Sequence, residues 1–204
     1  MFLRIDCHRP VPLYTFDTTQ SVRYQELRKE LDEGANAPVG AFCVSAAPLV
    51  PETSPPDISD LLRRIHALLG QGCDVLLFRE RDLYHVTTLV NRYTTAPLRF
   101  VAGLSLLIRA FDKSSFDQEA RRLEAISRLF AQNVRVYAYP MTVVDLQETL
   151  KEFPETRLDW SETNGWVSAE RMRLAPPLGH LYAYLLASNF IVPIQIPAHL
   201  GAAA

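Results

Sequence analysis

Arg79, Glu80, Ser105, Tyr139 and His180 are the side chains whose chemistry and position in this sequence suit a ligand. In an open parallel sheet, ligands bind beyond the carboxyl ends of the strands, where loops diverge. Ser45, Arg79, Glu80, Arg81, Ser105 and Tyr139 all stand just past short apolar runs that read as strands. Arg79 or Arg81 would clamp a phosphate or carboxylate through two parallel N–H bonds, and Ser105, near a helix start, would donate to the same small anion. His180 opens the last helix and is a weak candidate for a proton carrier. Each has a plainer role open to it: charged residues past a strand are normally solvated or cap a helix, and a lone His among Leu and Tyr is normally packing.

Other constellations are missing. There is no G-x-G-x-x-G, no phosphate loop and no G-x-S-x-G, and the chain has only eight glycines with which to build such turns. Cys7, Cys43 and Cys73 are far apart, with no C-x-x-C pair and no His at zinc-finger spacing, so they read as reduced thiols. Cys7 and His8 are adjacent and would point apart on a strand. Neither a metal nor a cofactor is expected. Tyr137 and Tyr139 share one strand face and Tyr182 lies near Leu185, a spacing that suits core packing better than base stacking.

The 204 residues are 48% hydrophobic and 22% charged, enough to bury a substantial core. Basic and acidic residues, 21 and 23, are interleaved to a net charge of −2, which argues against nucleic acid or an anionic membrane as partner. No apolar run reaches the roughly 20 residues of a spanning helix, and the first ten residues carry charges where a signal peptide would be apolar. A cytoplasmic location is the expectation.

Apolar runs rich in β-branched and aromatic residues predict strands at Phe2 to Ile5, Val39 to Ala46, Cys73 to Phe78, Leu98 to Ala102 and Val134 to Tyr139. Helical spacing predicts helices at 57–69 behind Asp57, 82–93, 104–111, 116–132 and 178–187, with another behind Thr142 and a further one from Ser21 to Leu31. Glu124 and Arg128 form an i, i+4 pair. Asn164-Gly165 is a strong signal for a hairpin at about 158–169. Alternation of strand and helix implies parallel strands joined by crossovers. The predicted fold is therefore α/β, a three-layer sandwich with a mainly parallel, Rossmann-like sheet, plus a C-terminal β-hairpin and helix. Residues 1–38 form an N-terminal arm, 39–192 the domain and 193–204 a tail.

Several blocks carry a resemblance: Arg92-Tyr93-Thr94, Leu107-Ile108-Arg109-Ala110-Phe111-Asp112, Leu123-Glu124-Ala125-Ile126-Ser127-Arg128-Leu129-Phe130, Asn133 to Met141, Ser168-Ala169-Glu170 and His180-Leu181-Tyr182-Ala183-Tyr184-Leu185. In order and spacing, from about Asp57 to Val192, they resemble the C-terminal half of a family of longer bacterial proteins. Members carry names such as nicotinate-nucleotide (NMN) adenylyltransferase or TonB-dependent receptor. The second name implies an outer-membrane barrel of many alternating strands, which this pattern lacks. The first implies nucleotide or phosphorylated-metabolite chemistry, which needs an H-x-G-H type element after the first strand, and Gly179-His180 is too late to be it. The chain departs from the family at Phe78-Arg79-Glu80, at Asp117-Gln118-Glu119-Ala120, and at Pro177 and Gly179, where the family tends to carry His and Arg. The family's N-terminal half has no counterpart.

The expectation is thus a non-catalytic or incompletely catalytic domain acting in a larger assembly, as a homo-oligomer or with a protein partner. Trp160, Trp166 and Tyr184 are its expected interface residues. A nucleotide enzyme or a small-molecule sensor using Arg79, Glu80, Ser105 and His180 are the alternatives.

Overall fold

Residues 2–6, 40–45, 58–70, 74–78, 83–93, 97–112, 119–130 and 134–195 are described by a computed structural model. The chain divides into two units, Met1–Arg81 and Asp82–Ala204. The predicted helix from Ser21 to Leu31, the Asp57 cap, Cys7, His8, Cys73, Arg79, Glu80 and Arg81 lie outside the described residues.

In the first unit, strands β1 (Phe2–Asp6), β2 (Gly40–Ser45) and β3 (Asp74–Phe78) form a parallel sheet with β2 central. Helix α1 (Ile58–Gly70) connects β2 to β3. Its Leu61 and Leu68, seven residues apart, are buried while Ile58, Leu62 and Leu69 stay exposed. A crossover helix between parallel neighbours is what the alternation requires.

The second unit opens with α2 (Leu83–Val90), whose Leu83, Val86, Thr87 and Val90 are buried at helical spacing. Then come β4 (Arg99–Gly103), α3 (Leu104–Phe111), α4 (Glu119–Leu129) and β5 (Arg135–Tyr139). β4 and β5 pair in parallel from Arg99 opposite Arg135 to Gly103 opposite Tyr139. On one sheet face Phe100, Ala102, Val136, Ala138 and Ile191 are fully buried. The other face has buried Val101 and Tyr137 at its centre, with Arg99 and Arg135 half-buried at the amino end and Gly103 and Tyr139 half-buried at the carboxyl end. Glu124 and Arg128 make the expected pair on α4 at 2.6 Å, both well exposed.

Past Pro140 the chain forms β6 (Met141–Thr142), α5 (Val143–Glu152), β7 (Leu158–Trp160), β8 (Trp166–Val167), a 3-10 turn (Ala169–Arg171), β9 (Met172–Leu174), α6 (Leu178–Ala187) and β10 (Ile191–Pro193). Thr142 caps α5, its hydroxyl oxygen accepting from the Asp145 N–H at 3.1 Å. The predicted hairpin is corrected in part. Asn164 and Gly165 do adopt φ of 52° and 74°, and Thr163 and Trp166 exchange both backbone bonds across them at 2.9 and 3.0 Å. The flanking strands nevertheless pair elsewhere, β7 with β9 and β8 with β6, both antiparallel. Leu158 faces Leu174 and Trp160 faces Met172, so β9 gives β7 apolar partners that the polar Ser161-Glu162 run could not exploit in a continued ribbon.

β10 is a strand that the sequence pattern does not predict, at the end of the predicted domain and the first residue of the predicted tail. It adds to the free side of β5, Ile191 opposite Val136 and Pro193 opposite Ala138. Pro193 is tolerated because β10 pairs on one side alone among the described residues. Tyr182, 2% exposed, donates its hydroxyl to the Ala169 carbonyl at 2.7 Å and stacks edge-on against Phe111 at 5.5 Å. It ties the last helix to the 3-10 turn, and burial pushes its phenol above the usual tyrosine range. Tyr182→Phe keeps the packing but removes that bond, leaving the Ala169 carbonyl with the Met172 N–H. We expect a loss of about 1 kcal/mol in denaturant unfolding, and an unchanged midpoint would show the bond to be idle.

Candidate functional site

The carboxyl ends of β4 and β5 are where the second unit could receive a ligand. β4 passes from Gly103 into α3 with no loop between them. Gly103 occupies the cap position in extended backbone and offers no side-chain bond, so the first N–H groups of α3 have no side-chain acceptor from the cap. Ser105, half-buried, lies in that first turn, and Tyr139 stands opposite Gly103 across the β4–β5 pair. Space for a Cβ exists at Gly103, since the nearest atom, Ser105 Oγ, would be 3.7 Å away. A helix start, a hydroxyl and a phenol can together hold an anion or a polar small molecule. They supply no acid–base pair.

His180 lies in the first turn of α6, exposed. It has no hydrogen-bond, ion-pair or ring partner among the described residues. A general base works when a second group fixes its tautomer and aim, and His180 has none to do so there. The structure therefore brings Ser105 and Tyr139 to adjacent strand ends, while no bond links His180 to either of them.

The neighbouring Gly179 has a packing reason to be glycine. Its N–H donates to Ala175 at 3.2 Å, and a Cβ would meet the Leu174 carbonyl oxygen at 2.3 Å. The end of β9 presses directly on the first turn of α6.

The expected interface residues lie on three different elements. Trp160 is half-buried on the β7–β9 ribbon against Met172, and Tyr184 is 59% exposed on α6. Trp166, also half-buried, sits on β8 opposite Thr142. The Val143 N–H, in the next residue, donates to the Gly165 carbonyl at 2.9 Å, and Val144 beyond it is 67% exposed. The turn and the α5 start are thus joined by a backbone bond, with Trp166 and Val144 on the two segments it links.

Sequence reasoning missed the opposite end of the sheet. Arg99 and Arg135 each follow an apolar residue at a strand start, Leu98 and Val134, and that shared pattern was the available signal. Among the described residues no group of three His, Cys, Asp or Glu is placed to hold a metal, and no helix is long and apolar enough to cross a membrane. Comparisons with protein-family models, with curated proteins and with solved structures return no match.

Proposed function

We propose that this chain is a non-catalytic or incompletely catalytic α/β domain that acts by docking in a larger assembly. The observation that carries the reading is the surface at the start of α5. The Val143 N–H to Gly165 carbonyl bond joins the segment carrying Val144, two-thirds exposed, to the segment carrying the half-buried Trp166. A β-branched aliphatic and a Trp on backbone fixed by hydrogen bonding make an anchor of low ordering cost, and Trp is enriched among residues that dominate binding energy. Self-association is the simplest form of this docking. The alternation of strands and helices supports a Rossmann-like three-layer sandwich as the frame.

The enzymatic alternative, a nucleotide or phosphorylated-metabolite enzyme as the family resemblance implies, draws on Ser105 and Tyr139 at the strand ends. It has a weaker basis because His180, its proton carrier, has no orienting partner among the described residues. Light scattering across a dilution series distinguishes the readings. Mass should rise with concentration in the wild type, and Trp166→Ala should weaken association by about tenfold or more, the cost of losing an anchor of 2 kcal/mol or so. A wild type that stays monomeric throughout and also retains no protein partner would remove the docking reading.

A further inference from the structure

We propose that the outward face of the β7–β9 ribbon binds a short acidic segment of a partner protein, one with two carboxylates at alternate positions of an extended strand. The site is independent of the docking surface at the α5 start. In the ribbon Asp159 stands opposite Arg173, while Leu158 and Trp160 stand opposite Leu174 and Met172. Side chains alternate along a strand, so the two sets leave opposite faces. Met172 and Leu174 are buried and Leu158 and Trp160 half-buried, whereas Asp159 and Arg173 are exposed. The ladder continues one residue past the strands at each end. The Ala175 N–H donates to the Arg157 carbonyl at 2.9 Å, and the Ser161 N–H to the Arg171 carbonyl at 3.1 Å. Alternation therefore puts the exposed Arg157 and the half-buried Arg171 on the side of Arg173.

Three arginines against one aspartate leave this face net positive. The Arg173 Nη1 donates to the Glu170 and Met172 carbonyls at 2.6 and 3.0 Å, both uncharged acceptors. The head is thus held in place with its charge unspent, which lowers the ordering cost of a bond to a partner. Its Nη2 and Nε make no bond among the described residues. The Arg157 and Arg171 side chains and the Asp159 carboxylate likewise have no hydrogen-bond or ion-pair partner there.

Charge and spacing choose the partner. A second copy meeting this face with its own would set one net positive surface against another. Glu155, Glu162 and Glu170, all exposed, flank the ribbon residues in sequence, and Asp159 stands among the arginines. Duplex DNA carries a charge about every 1.7 Å and would meet those carboxylates as well as the arginines. The carboxylates of a peptide are discrete and can fall on the arginines alone. Arg173 is diagonal to Arg157 and two residues from Arg171, so neighbouring arginine positions are about 7 Å apart. Alternate residues of an extended segment have the same separation of about 7 Å. Each carboxylate would accept two parallel N–H bonds from one guanidinium fork.

The test is fluorescence anisotropy of a labelled Gly-Glu-Thr-Glu-Thr-Gly peptide titrated with the full chain at low ionic strength, beside its Gln counterpart and a short DNA duplex. The Glu peptide should bind, and the Gln peptide about tenfold more weakly or not at all. Arg173→Gln should weaken the Glu peptide about tenfold, and Asp159→Asn should tighten it about threefold because the one like charge has gone. A merely structural cross-strand pair would leave both affinities unmoved. Arg128→Gln, on exposed α4, and Trp166→Ala should bind the peptide as wild type does, so that loss of self-association and loss of this site are read separately. As a check without variants, the Arg157 and Arg173 Nε–H resonances of the wild type should shift on adding the Glu peptide. No binding of the Glu peptide, equal binding of the Gln peptide, tighter binding of DNA, unchanged affinity in Arg173→Gln, or shifts confined to other arginines would overturn the proposal.

Discussion

Phe100→Ala should cost about 3–5 kcal/mol of stability, the range for emptying a fully buried aromatic site. Phe100 is inaccessible to solvent at the second position of β4, with Val136 beside it in register and Ile191 beyond on β10. Ala102 and Ala138, the small residues of the same face, leave the ring as its largest filler. Loss of the ring removes its transfer free energy and opens a cavity across three strands that cannot all move inwards. A loss this large is a sizeable share of the total for an ordinary domain. Equilibrium urea unfolding checks it. A change below 1 kcal/mol or so would mean that this face is not closely packed around the ring.

Gly179→Ala should also destabilise, by about 1–3 kcal/mol, although alanine in an exposed helix normally gains up to about 1 kcal/mol over glycine. The sign is reversed by the Leu174 carbonyl, 2.3 Å from the new Cβ, a distance that real contacts do not reach. Either the end of β9 or the first turn of α6 must retreat, and Tyr182 on that helix bonds Ala169 just before β9. Neither movement is local. Differential scanning calorimetry of the variant is the check, and a higher melting temperature would show that the approach is looser.

Local pattern made the parallel strands and their crossover helices readable. Gly40–Ser45, Asp74–Phe78, Arg99–Gly103 and Arg135–Tyr139 lie within a residue or so of the predicted runs, because apolar β-branched residues bounded by polar ones have few other uses. Thr142, Asn164-Gly165 and the start of α6 were legible for a similar reason, since caps and tight turns demand particular side chains. Pairing was not. β7 has three residues and β8 two, too few to show a period, and their partners are selected by the unit around them. Ile191–Pro193 is equally short, and its proline argues against a strand until the one-sided pairing is known.

The candidate site was legible in its parts and not in its geometry. Ser105 and Tyr139 follow from the strand ends, which periodicity places well. Arg99 and Arg135 are 36 residues apart in sequence and meet only because β4 and β5 are neighbours in that register, which no local pattern encodes. Trp160 and Trp166 looked like one hairpin's aromatic pair, and they belong to different ribbons.

Collisional quenching of Trp166 tests the docking account most directly. The chain has two tryptophans, so Trp160→Phe leaves Trp166 as the sole indole reporter. Iodide quenching of that variant would be followed from dilute to concentrated solution alongside its scattering mass. We expect quenching to fall as mass rises, with Val144→Asp keeping Trp166 accessible and the mass low. Quenching that stays constant while mass grows would place the interface elsewhere, and a constant mass with constant quenching would contradict self-association through this surface.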